Sequence, residues 1–251
     1  MKQRTTIILA FLWCMCAPFL SKGNNDEEKT AHTTNIKGDL SLSLQNQHYW
    51  RGIKTGQGLS LELGGNLQIT KSLQAGIWNG IALNSSYKEV DFYLSWNQKN
   101  LTITLLDYYC PRERIFSDEF TDVKSHTTPH LTDLQIAYNI PRTPFTLMAS
   151  TLFWGCDLNA KGKNYYSTYL ELGYTQSFDE MNTRILLGYS LWEGIYGSKR
   201  GIVNMEIAAE YPLIKREAFA LLVNTHFIYN PLKKKLYFGA GVSLKKSNQG
   251  S

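Results

Sequence analysis

Apolar and polar residues alternate along most of this chain. Leu40, Leu42 and Leu44 are separated by Ser41 and Ser43, and Leu59, Leu61 and Leu63 by Ser60 and Glu62. Val90, Phe92, Leu94 and Trp96 interleave with Asp91, Tyr93 and Ser95, and Leu101, Ile103 and Leu105 with Thr102 and Thr104. Successive side chains on a strand point to opposite faces, so each run has one greasy face and one polar face. About twelve such runs fall near 38–52, 57–70, 72–83, 88–98, 100–110, 130–140, 144–156, 164–177, 182–193, 200–212, 217–230 and 234–246. Soluble sheets usually have strands of about five or six residues, whereas a tilted strand crossing a bilayer needs about nine to eleven. The length of these runs favours the membrane.

The connections alternate as well. Short turns at Thr70-Lys71, Gln98-Lys99, Pro141-Arg142-Thr143-Pro144, Asp179-Glu180-Met181 and Lys215-Arg216-Glu217 separate longer loops, the longest spanning 111–130. Outer-membrane barrels place short turns in the periplasm and longer loops outside, and an even strand count leaves both termini periplasmic. The expected fold is therefore all-β: a transmembrane antiparallel up-and-down β-barrel of about twelve strands. Its polar faces carry Glu62, Asp91, Asp133, Glu171, Arg184, Glu206 and Glu210. A soluble barrel could expose these charges to water, while a membrane barrel would line its lumen with them. Aromatic residues near the run ends, Trp50, Trp96, Tyr138, Tyr174, Phe178, Tyr211 and Phe227, suit the interfacial girdles of a membrane barrel.

The beginning of the chain points to export. Lys2 and Arg4 precede an apolar core from Ile7 to Leu20, followed by Ser21-Lys22-Gly23. That layout reads as a signal peptide over 1–23, with a polar leader over 24–37 and the barrel over 38–251. Trp13 and Met15 are too bulky for a lipobox before Cys14 or Cys16. No later stretch approaches the roughly 20 apolar residues of a membrane helix. The net charge of +5 is mild and forms no nucleic-acid-sized basic face. Lys233, Lys234 and Lys235 form one compact basic run, readable as a solvated loop or as a contact for lipopolysaccharide phosphates. Cys110 and Cys156 remain in the exported portion, and two cysteines carry no disulfide framework, so their pairing stays open.

Several segments are similar to the TorF-type porins, a family of exported outer-membrane barrels. They are Leu40-Ser41-Leu42-Ser43-Leu44 with Tyr49-Trp50-Arg51-Gly52-Ile53, then Ala75-Gly76-Ile77-Trp78, Glu89 to Leu94, and Tyr165 to Tyr174. The resemblance implies the barrel fold, an outer-membrane location and a transport role. The chain departs from barrels that end on an aromatic residue, since Leu244 is followed by a polar tail over 245–251.

Candidate chemistry is sparse. Continuing the alternation from Ser41 puts Arg51 on the polar face near the outer mouth, where its guanidinium would bind a passing anion or pair with a lumen carboxylate such as Asp91. Glu62, Asp91, Glu171 and Glu206 form a cation-preferring ring, or join Arg184 in a network that fills the lumen. A catalytic serine–histidine pair at the spacing of outer-membrane phospholipases is missing, because His226 is followed at that spacing by Ile228 and His48 by Trp50. His126, His130 and Asp122 in the long loop are a thin basis for a metal site. No glycine-rich phosphate cradle or other cofactor motif occurs. The expectation is a non-enzymatic, porin-like barrel in contact with outer-membrane lipid and lipopolysaccharide, passing small solutes past Arg51, Glu62, Asp91, Glu171, Arg184 and Glu206. The alternatives are a non-conducting barrel that acts as a binding or structural protein through the 111–130 loop and, ranked behind it, a lipid-modifying outer-membrane enzyme.

Overall fold

The computed structural model describes residues 37–111 and 118–247. The expected signal peptide, and all of the leader except Lys37, lie outside them. Among the described residues, fourteen strands follow in chain order. They are β1 (Gly38–Gln45), β2 (His48–Trp50), β3 (Ile53–Thr55), β4 (Ser60–Gln68), β5 (Leu73–Ala82), β6 (Lys88–Gln98) and β7 (Leu101–Tyr109). After these come β8 (His130–Asn139), β9 (Phe145–Gly155), β10 (Thr168–Phe178), β11 (Met181–Ser190), β12 (Gly201–Lys215), β13 (Phe219–Asn230) and β14 (Lys235–Ser247). Twelve of them close into one antiparallel barrel, with β1 hydrogen-bonded to both β4 and β14. The remaining two, β2 and β3, pair only with each other.

The wall has the polarity of a barrel set in lipid. Leu42 aligns with Leu63 on β4 and with Leu244 on β14, and all three leucines are exposed on the outer surface. Leu94, Leu105, Leu134, Ile136, Leu172, Leu187 and Ile207 continue that greasy face around the barrel. The alternate positions Ser43, Ser95, Thr104, Ser150 and Ser243 point inward, where Ser43 bonds Ser243 at 2.8 Å and Ser95 bonds Thr104 at 2.9 Å. Apolar outside and polar inside is the inverse of a soluble barrel and the pattern of a membrane one.

One end of the barrel carries the short turns and the other the long loops, as the connections predict. Lys99 and Asp179 take left-handed backbone angles (φ 53° and 51°) in the tight reversals of the turn end. Trp96, Tyr138, Phe178 and Tyr211 are exposed on the outer surface toward that end, and Phe145 stacks edge-on against Tyr174 there. Pro212, which has no N–H to give to a ladder, sits where β12 slips register against β13. A second irregularity leaves Val203 of β12 unpaired with β11 and turns it, fully buried, into the lumen.

The run expected over 38–52 is not one strand. β1 stops at Gln45, and the chain leaves the wall to make the β2–β3 hairpin. Trp50 and Ile53 close its turn, while Arg51 (φ 49°) and Gly52 (φ 78°) occupy the two central positions. Positive φ at both central residues is the two-residue reversal that matches strand twist, and it brings a glycine to the second position. Trp50 therefore belongs to the lumen and not to an interfacial girdle.

Leu172 sits in the middle of β10 on the outer face and is 40 % exposed. Leu172→Arg is expected to cost about 2–4 kcal/mol in urea-titrated folding into lipid vesicles. A leucine exposed to water would change stability by less than about 0.5 kcal/mol, and that result would contradict a lipid-facing wall.

Candidate functional site: the lumen and its inward hairpin

The hairpin enters the lumen from the loop end and crosses it. Its base is stapled by Gln47, whose Nε2 donates to the Thr55 carbonyl at 2.6 Å and whose Oε1 accepts from the Gly58 amide at 3.1 Å. Asn46 and Tyr49 tie the same end to β14, both donating to the Phe238 carbonyl at 3.1 Å. The tip reaches the far wall. Asn230 of β13 donates to the Gly52 carbonyl at 3.0 Å, and a Cβ at Gly52 would overlap the Val203 carbonyl. A side chain is thus excluded at Gly52 twice, by its positive φ and by the bulged backbone beneath it.

Arg51 is the anchor. Its guanidinium meets Asp133 of β8 at 2.8 Å, with both side chains buried, and donates to the Tyr196 hydroxyl in the β11–β12 loop. Trp50, Tyr169 and Tyr196 present ring faces to it at 5.0, 5.1 and 5.7 Å. Asp133, at 0 % exposure, also accepts from Tyr108 at 3.1 Å, Gln135 at 3.1 Å and Ser150 at 2.6 Å. Protein donors have replaced the carboxylate's hydration, which is the condition for a buried ion pair to be tolerated. Burial works against the Arg51 charge, but Tyr196, Tyr108 and Asp133 together outweigh it and hold the group above its ordinary pKa. Burial also pushes the Tyr196 phenol up to about 12 against the pull of Arg51, so it stays protonated and offers the guanidinium a lone pair. Trp50 packs edge-on to Tyr108 at 5.6 Å, and the cluster of Tyr108, Leu131, Leu152, Tyr169, Tyr196 and Val203 forms a small core inside the barrel.

The other expected site residues fall in separate places. Glu62 faces inward from β4 and meets His48 of the hairpin at 2.8 Å. Glu171 of β10 accepts from the Tyr169 hydroxyl at 2.8 Å. Arg184 and Glu206 pair across β11 and β12 at 3.2 Å, with His226 of β13 3.5 Å from the same carboxylate oxygen. Glu210 and Lys245 meet at 2.8 Å nearer the turn end. Asp91 does not partner Arg51. It is buried on β6 beside Glu89, and its Oδ1 lacks a hydrogen-bond partner.

One cavity lies against the hairpin and another lies at the opposite end of the barrel. One of about 530 Å³ opens at the loop end between the hairpin and the β7–β8, β9–β10 and β11–β12 loops, and both Cys110 and Cys156 line it. The other, of about 510 Å³, lies at the turn end and includes Asp39, Ser41, Trp78, Tyr93 and Lys245. The long-loop histidine His130 is engaged by the protein itself. Its ring nitrogens lie 2.7 Å from Asp107 and 2.7 Å from the Phe120 carbonyl.

Asp133, Tyr108, Tyr169 and Tyr196 are the functional candidates that sequence reasoning left out of the site. The available signal was the Arg51-Gly52 pair between alternating residues, with Gly56 and Gly58 close behind.

No family model matches the chain, and no curated protein matches it. Solved structures do resemble it. An outer membrane channel from Pseudomonas putida F1 is 14% identical, with a TM-score of 0.44 over 89% of this chain and 100% of that one. The KdgM porin is 9% identical, with a TM-score of 0.48 over 84% and 99%. The outer membrane protein OprD from Pseudomonas aeruginosa is 13% identical, with a TM-score of 0.35 over 84% and 64%.

Arg51→Ala is expected to destabilise the barrel by about 3–5 kcal/mol, because it strands the Asp133 charge in a dry site. Adding Asp133→Asn should restore a substantial part of that loss. Urea unfolding followed by heat-modifiable gel migration reads both variants, and strictly additive losses would contradict the coupling.

Proposed function

We propose that this protein is an outer-membrane, porin-like barrel that passes small solutes through a lumen narrowed by the β2–β3 hairpin. The observation that carries this reading is the inversion of polarity. A greasy outer wall surrounds a lumen lined by Glu62, Asp91, Glu171, Arg184, Glu206, Glu210 and Lys245. Filled barrels of small diameter pack side chains across the interior, whereas twelve strands leave more room than wall side chains alone occupy. Here part of that room is taken by a segment of the chain itself, and a cavity remains beside it at the loop end. Arg51 then acts as the hairpin's anchor, and the remaining charges tune what passes. The short turns and the termini belong in the periplasm, the long loops outside, and the wall in contact with outer-membrane lipid and lipopolysaccharide. The Tyr49-Trp50-Arg51-Gly52-Ile53 segment that resembles the TorF-type porins is this hairpin, which supports the same kind of barrel here.

A second reading has one specific observation behind it. The hairpin tip is held by Asp133, Tyr196, Asn230 and the Val203 backbone, enough to keep the lumen shut. The protein would then act through its outer loops. Planar-bilayer recording separates the two. Passage predicts discrete steps from the wild-type barrel, and several-fold larger steps after residues 48–55 are replaced by a short glycine-serine link. Steps seen only in the replacement would favour the shut barrel, and silence from both folded proteins would overturn passage.

A further inference from the structure

The loop end carries a basic patch built from two connections. The β13–β14 turn supplies Lys233 and Lys234, and the β11–β12 loop supplies Lys199 and Arg200, all four exposed. The fold brings these segments together through Leu232. A Cβ at Gly197 would lie 2.9 Å from Leu232 Cδ1, and a Cβ at Gly201 would lie 3.0 Å from Leu232 Cδ2. Leu232 thus packs between the two glycines that bracket Lys199 and Arg200. Lys235, which follows, stands opposite the inward-facing Asn230 and belongs to the mouth of the lumen. No carboxylate answers the patch. The sequence holds no acidic residue between Glu193 and Glu206, and none after Glu217. Glu193 accepts from the Tyr165 hydroxyl at 3.3 Å, and Glu206 is taken by Arg184 and His226. Among the described residues, none of the four bases forms an ion pair. Partial burial holds the Lys233 ammonium below its ordinary pKa, with no anion beside it to raise it.

The wall directly beneath says which anion fits. Leu236, the residue after Lys235, is 71 % exposed on the outer face, and Tyr229 stands opposite it on β13. Phe227 and Phe238 pack together there with ring centroids 5.0 Å apart, and Met205 of β12 continues the face opposite Tyr229. All five are exposed on the lipid side. A free phosphate would use the bases and leave this face idle. A phosphorylated lipid would use both, with its charge on the patch and its acyl chains along the aromatic face. Bases at headgroup level are drawn to an anionic leaflet, and aromatic rings settle at the same depth.

We propose that the loop-end rim of β12–β14 is a binding site for a phosphorylated glycolipid of the outer leaflet, the lipid A portion of lipopolysaccharide. Lys199, Arg200, Lys233 and Lys234 hold its phosphates, and Tyr229, Leu236 and Phe238 take its chains. The site rests on reading the long loops as extracellular, and it gives the contact with lipopolysaccharide a defined place on the wall.

Native mass spectrometry of the full chain folded in detergent tests it with three probes: diphosphoryl lipid A, monophosphoryl lipid A and inorganic phosphate. The wild type is expected to retain the diphosphoryl lipid best, the monophosphoryl lipid less, and inorganic phosphate not at all. The variant K199Q/R200Q/K233Q/K234Q, checked by heat-modifiable migration, should bind the diphosphoryl lipid at least about tenfold more weakly, since each base near a charged surface contributes roughly fivefold. Leu236→Asn should weaken the same lipid several-fold with all four bases in place. Equal binding by the wild type and the quadruple variant, or no preference for the second phosphate, overturns the site. Retention of inorganic phosphate, or a lipid affinity untouched by Leu236→Asn, leaves an anion patch without a lipid and overturns it too. If the quadruple variant does not fold, the ranking of the three probes on the wild type decides alone. A barrel that binds the diphosphoryl lipid and never conducts keeps this site and loses passage. A barrel that conducts without preferring either lipid keeps passage and loses the site.

Discussion

Every backbone N–H and C=O in the wall of a lipid-set barrel must find a partner within the wall, because the hydrocarbon offers none. That requirement is what closes this chain on itself. β1 and β14 are the first and last strands, and they run in register from Asp39 opposite Ser247 to Gln45 opposite Gly241, so no edge is left unpaired. Closure separates two solvents, and the period-two alternation then gives each strand a side for each. The leucines that a soluble protein would bury lie on the outside, and the interior must be built from serine, threonine and charge.

A polar interior creates a second problem, which the β2–β3 hairpin answers. Twelve strands enclose more space than serines and threonines fill, and the hairpin brings Trp50 and Ile53 into that space alongside Tyr108, Leu131 and Tyr196. It cannot enter without a polar backbone, and the backbone groups at its base and tip are met by Gln47, Asn230 and the strand-like pairing of β2 with β3. The buried charge on Arg51 follows the same logic. Asp133, Tyr196 and three aromatic faces stand in for its hydration shell.

The wall was legible in the sequence because its determinants are local. Alternation, turn residues and strand length each act within a dozen residues, and β6, expected over 88–98, is found at Lys88–Gln98. The hairpin was not legible for the opposite reason. Tyr49 and Arg51 continue the alternation that begins at Leu40, so nothing nearby marks the exit from the wall except Gly52 and the glycines after it. Arginine is also an unusual residue at positive φ, where asparagine or aspartate is the common signal. Its partner Asp133 lies 82 positions away, and such a pairing leaves no trace in a single sequence.

The hairpin lies between the first two wall strands in chain order, yet its tip is held by residues from β8 onward, and the Asn230 contact spans 178 positions. A chain that assembles its wall progressively would carry this segment undocked until the far side of the barrel exists. The lumen is therefore narrowed from within only when the wall is complete, and the seated hairpin is a mark of finished assembly.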